Sequence, residues 1–134
     1  MTKVSLFWSV LLVLICSTFA VNASSTQNDE NLPKITNAQY EKIIKSEKPI
    51  FLSFNADWCP VCQKQNKALN KISKEFYNKA EFHSVDWDKV DEFVGPKTKQ
   101  RSTIAYVKNN KIIDQLIGET DTDKIKAFIE KYTN

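Results

Sequence analysis

Cys59-Pro60-Val61-Cys62 places two sulfurs three positions apart, and a thiolate is both a nucleophile and a soft metal ligand. The flanking pattern says where they must sit. Pro49 opens a nearly unbroken apolar run, Ile50 to Phe54, as in a strand buried on both faces. A short polar turn follows. Past it, Val61, Leu69, Ile72, Phe76 and Ala80 recur at helical spacing. The order is therefore strand, turn, Cys-x-x-Cys, helix, with Cys59 at the start of the helix. Unpaired backbone N–H groups and the positive end of the helix dipole favour a thiolate there. Pro60 suits the first helical turn, where its missing N–H costs nothing.

Ala56-Asp57-Trp58-Cys59-Pro60-Val61-Cys62 at the end of a buried strand resembles the active-site segment of the thioredoxin superfamily. The resemblance implies a protein disulfide oxidoreductase that needs no cofactor and no resident metal. Cys59 would attack a client disulfide, and Cys62 would resolve the mixed disulfide, leaving a Cys59–Cys62 bond. Trp58, Pro60 and Val61 are then active-site neighbours, with Trp58 a lid over the cysteines. Two blander readings compete, an inert clip and half of a zinc site. A structural zinc site usually takes four ligands, and the chain offers no second Cys-x-x-Cys and only one histidine, His83.

The redox compartment is set by the first residues. Lys3 precedes an apolar stretch, Val4 to Ile15, broken only by Ser5 and Ser9; a small, polar stretch then ends in Val21-Asn22-Ala23. This pattern matches a secretory signal peptide over 1–23, with cleavage after Ala23 and Ala20 as second choice. The apolar core falls short of the about 20 residues a transmembrane helix needs. An uncleaved N-terminal anchor is the competing reading. Cleavage would remove Lys3 and Cys16, taking the formal charge from +3 to +2 and leaving Cys59 and Cys62 as the only cysteines. An exported domain with one close pair is not a stapled scaffold, so the pair is free to cycle. A periplasmic or secreted location follows, with other exported proteins as disulfide substrates. Charges are scattered and no basic, aromatic-rich patch exists, so nucleic acid is excluded as a partner.

Residues 24–34 are polar and read as a flexible tether, which leaves 35–134 as the folded domain. Thr36-x-x-Gln39 is a capping box before a short helix bearing Tyr40, Ile43 and Ile44. Phe82 to Trp87 alternates like a strand, and Asp88 is placed to cap a short helix ended by Gly95-Pro96. Thr103 to Val107 and Ile112 to Ile117 form a hairpin across Asn109-Asn110. Thr120 or Asp121 caps a last helix carrying Ile125, Phe128, Ile129 and Tyr132. The fold class is α/β: a mixed central sheet with helices on both faces, the thioredoxin-like layout without much of its first strand.

Proteins of that superfamily carry a cis-proline before the closing hairpin, facing the cysteines. Ser102 stands at that place, within Arg101-Ser102-Thr103, and Pro33, Pro49, Pro60 and Pro96 all lie elsewhere. A cis bond before a non-proline costs about 2.5–4 kcal/mol, so the Arg101–Ser102 bond is expected to be trans. The superfamily's buried acid and its lysine are replaced by Ser53 and Ser84. Arg101 is read either as a cation that lowers the pKa of Cys59 or as a solvated arginine. Pro60-Val61 matches neither the dipeptide of thioredoxin nor that of the strong periplasmic oxidant, and a narrow reductase is preferred over a broad oxidant. Its partner is a membrane-linked thiol–disulfide reductant or oxidant, and the chain is expected to act as a monomer. The rival from another class is a copper(I) carrier held by the two thiolates, though no methionine follows Met1. A redox-inert interaction module is the third reading.

Overall fold

The computed structural model describes residues 30–134, so the expected signal segment and residues 24–29 of the expected tether lie outside the described residues. Chain order is α1 (Asn37–Ile43), β1 (Ile50–Asn55), α2 (Pro60–Phe76), β2 (Glu81–Asp86), a 3-10 turn (Trp87–Glu92), β3 (Thr103–Lys108), β4 (Lys111–Ile117) and α3 (Thr122–Thr133). The four strands form one sheet in the order β2-β1-β3-β4. β1 pairs with β2 in parallel, Ser53 opposite Ser84, because α2 carries the chain back to the same end of the sheet. β3 runs antiparallel to both β1 and β4. Asn109 and Asn110 close the β3–β4 hairpin with φ of 52° and 58°, the left-handed pair that a two-residue turn demands.

All six residues of β1 are buried, as a central strand requires. Their alternation splits the core in two. Phe51 faces α2 and α3, packing with Leu69, Ile72, Ile125 and Ile129. Ile50, Leu52 and Phe54 face the other way, toward Tyr40 of α1 and Phe93 beyond the 3-10 turn. The expected mixed α/β sheet with helices on both faces is the observed fold. Among the described residues no helix is long and apolar enough to cross a membrane.

Two boundaries differ from the sequence reading. The fold begins before Ile35: Leu32 is buried, the Ser84 N–H donates to Pro33 O, and the Ile35 N–H donates to Ser84 O. These bonds form a one-bridge remnant of a further strand beside β2. A single leucine in a polar stretch has no periodicity to reveal it. The short helix after β2 is a 3-10 turn capped by Asp86 rather than Asp88, with the Asp86 carboxylate accepting the Asp88 N–H at 3.1 Å. At α3 the cap is Asp121, not Thr120.

The C-terminal helix is tied to the sheet edge by Asp114 of β4, whose carboxylate accepts the Tyr132 O–H at 2.5 Å. Lys131 donates to the same oxygen. These bonds, Tyr132 first, hold the Asp114 carboxyl below its ordinary pKa of 3.8. A depressed carboxylate contributes stability that is complete above the ordinary value and fades as pH falls through the folded one. Asp114→Ala is therefore expected to cost about 0.5–1 kcal/mol at neutral pH, reduced by partial solvent screening. In urea titrations that difference should shrink toward zero below the depressed pKa. A constant gap at every pH would disprove the assignment.

Candidate active site

The β1–α2 junction is built locally. β1 ends at Asn55, Ala56 stays buried, and the Cys59 N–H donates to Ala56 O at 3.1 Å, so the chain turns straight into α2. Cys59 is the N-cap, extended at φ −98° and ψ 109°, with Pro60 in the first turn. The Cys59 sulfur accepts the Cys62 N–H at 3.3 Å, the place a serine or aspartate oxygen takes in an ordinary cap. The two sulfurs are joined as a disulfide, with Cα atoms 5.2 Å apart. Cys59 keeps 5% of its surface accessible and Cys62 none. One sulfur is thus at the rim and the other behind it.

The rim is a shallow groove of about 280 Å³ lined by Cys59, Val61, Arg101, Ser102 and Ile117 among others. Trp58 is 59% exposed and is held by two polar partners. Its indole N–H donates to both Asp88 oxygens, at 3.0 and 3.2 Å. The Arg101 guanidinium lies 4.8 Å from the centre of its ring. The side chain that packs against Ala56, Cys59 and Cys62 is Trp87, which the sequence pattern showed only as the end of an alternating strand. Asp88 was likewise missed as a partner of Trp58. The Thr103 hydroxyl donates to Gln100 O at 3.0 Å and so braces the loop.

Ser102 is where the site is most unusual. The chain contains no cis peptide bond among the described residues, so the Arg101–Ser102 bond is trans. Ser102 instead adopts φ of 56°, a left-handed conformation that costs a non-glycine residue of order 1–3 kcal/mol. Backbone bonds on both sides hold it there: its N–H donates to Phe54 O at 2.8 Å, and its carbonyl accepts the Gly118 N–H at 2.7 Å. Gly118 has φ of 66°, which glycine adopts without penalty. The result is an Oγ 2.9 Å from the Cys62 sulfur and 3.5 Å from the Cys59 sulfur.

The layer behind the pair is neutral and polar. Ser53, Asn55 and Ser84 are buried, and Asn55 Nδ2 donates to Ser84 Oγ at 2.7 Å. Lys34 Nζ bonds Asp57 at 2.9 Å and Asp86 at 3.1 Å on the outer side. The bond to Asp57 leads in raising the pKa of Lys34. His83 lies beside Glu81, 3.2 Å away. Among the described residues no group of three or more His, Cys, Asp or Glu side chains is placed to hold a metal.

A disulfide at the head of a helix, at the edge of a mixed four-stranded sheet with this topology, defines a thioredoxin-like protein. The thioredoxin family model matches residues 31–131. The chain belongs to the thioredoxin family. Thioredoxin H4 of Arabidopsis thaliana is 30% identical over 96 residues, covering 71% of this chain and 80% of that protein. Mitochondrial thioredoxin of Mus musculus is 27% identical over 92 residues, covering 68% of this chain. The chain spans about half the length of the mitochondrial relatives, 55% of the mouse protein. Among solved structures, the thioredoxin of Malassezia sympodialis (Mala s 13) superposes with a TM-score of 0.64 at 26% identity, covering 78% of this chain and 95% of that one. Trxlp from Edwardsiella tarda EIB202 gives 0.62 at 23% identity, with 76% and 98% covered, which is a likeness of fold.

Proposed function

We propose that this protein is an exported thiol–disulfide oxidoreductase that reduces disulfides of other exported proteins through Cys59 and Cys62. The observation that carries the reading is the asymmetric pair: a capping sulfur at the groove rim, bonded to a second sulfur with no accessible surface. In the reduced state, the open N–H groups and dipole of α2 favour the Cys59 thiolate. That thiolate attacks a client sulfur, the client S–S bond breaks, and one client thiolate leaves. Cys62 then displaces the second client sulfur from Cys59. Two electrons pass to the client, and the Cys59–Cys62 bond returns. A membrane-linked dithiol donor would reload the pair.

The groove supports binding of an extended client segment across Val61, Arg101 and Ile117, all solvent-exposed. Export rests on the signal-like pattern of 1–23, and the reducing direction on a Cys-Pro-Val-Cys motif unlike that of a strong oxidant. Equilibration with glutathione redox buffers tests the direction. A potential below about −200 mV is expected of a reductase, and one near −120 mV would make the protein an oxidant. The copper(I) reading needs tight stoichiometric binding without exchange activity, and that outcome would replace this proposal.

Arg101 enters as an exposed cation over Trp58, at the same groove as Cys59. Arg101→Ala is expected to raise the apparent pKa of reduced Cys59 by about half a unit at low salt and less at high salt. Thiolate absorbance against pH reads this directly. An unchanged titration would leave Arg101 as packing for Trp58.

A further inference from the structure

We propose that Ser102 is a catalytic residue of the pair, its hydroxyl donating to the Cys62 sulfur as that sulfur becomes a thiolate in the resolving step. The inference rests on the exchange chemistry proposed above and deepens it. Cys62 has no accessible surface, so water cannot solvate its charge when it loses its proton. Among the described residues the one side chain hydrogen-bonded to its sulfur, apart from the disulfide itself, is Ser102, at 2.9 Å. The charged groups on the surrounding elements are engaged elsewhere. Asp57 and Asp86 hold Lys34, Asp88 holds the Trp58 indole, and Arg101 lies over the Trp58 ring. The layer behind, Ser53, Asn55 and Ser84, carries no charge.

The backbone bears this out. A left-handed serine persists only where the surroundings over-determine it, and here two backbone hydrogen bonds aim one hydroxyl between two sulfurs. A hydrogen bond to the charged form favours that form, and a buried one does so more strongly. In the resolving step the Cys62 proton goes to solvent, and the Cys62 electron pair forms the bond to Cys59. The Cys59–client bond breaks, and its pair leaves on the client sulfur, which takes up a proton from solvent. Throughout, the Ser102 hydroxyl keeps its own proton and donates it as a hydrogen bond. Its 3.5 Å approach to the Cys59 sulfur keeps it beside the bond being exchanged.

The test uses Ser102→Gly, which removes the hydroxyl and suits the left-handed backbone, and Ser102→Ala, which removes the hydroxyl and keeps a side chain. In a full chain carrying Cys59→Ala, both should raise the apparent pKa of Cys62 by about 1, read from thiolate absorbance. With both cysteines present, a mixed disulfide with glutathione should live about tenfold longer at pH below that pKa, counted by mass after acid quench. An unchanged Cys62 titration in both variants overturns the proposal. A shift in only one of them would be a backbone effect and overturns it too. If the parent chain formed no mixed disulfide at all, the oxidoreductase reading would fall, and with it the catalytic role, even where the titration confirmed the hydrogen bond.

Discussion

Cys59→Ser is expected to leave no thiol–disulfide exchange above background, a loss of about 10³-fold or more. The reason is chemical rather than structural. Serine is a preferred N-cap, so its oxygen can take over the bond from the Cys62 N–H that the sulfur now accepts. Reduced parent and variant should therefore unfold at similar denaturant concentrations while differing wholly in activity. Cys62→Ser behaves differently. The rim sulfur still attacks, but nothing behind it can release the client, so a stoichiometric covalent adduct accumulates with a disulfide-bearing peptide. Mass spectrometry without reductant checks both. Residual exchange in Cys59→Ser, or no adduct in Cys62→Ser, would assign the nucleophile to the wrong sulfur.

Phe51→Ala carries the largest expected loss of stability, about 3–5 kcal/mol. Phe51 is fully buried in β1, with ring centres of Phe82, Tyr106 and Phe128 at 5.4, 5.6 and 6.0 Å. Truncation would remove a side chain that touches β2, β3 and α3 together. Against a typical margin of about 5–15 kcal/mol, that loss takes much of what a domain has. The melting temperature should drop by about 15–30 °C, and the urea midpoint should fall with an unchanged slope. A loss under about 1 kcal/mol would mean that the site collapses around the gap and that the aromatic cluster is not the keystone described here.

Much of the fold was legible because its signals are local. The nearly unbroken apolar run Ile50 to Phe54, the Thr36–Gln39 capping box and the Asn109-Asn110 turn are each signals within a few residues, and each occurs as expected. The misread start of the fold has a long-range cause. Leu32 and Pro33 belong to the fold through contacts with β2, some fifty positions on, and no pattern in their own neighbourhood announces them. Trp87 shows in sequence only as the end of an alternating strand, because an aromatic residue there looks the same whether it backs a β-sheet or a disulfide.

At the site the division is sharper. Sequence alone determined that two cysteines stand at the start of a helix after a buried strand, because an apolar run, Pro60 and helical spacing are short-range constraints. It also made Ser102 the expected counterpart of the superfamily's proline. What that serine does was decided only by the tertiary structure. Its contacts reach sulfurs 40 and 43 positions away, through a left-handed backbone pinned by β1 on one side and Gly118 on the other. A residue's type states which bonds it can make; only the folded chain brings the partner within 3 Å.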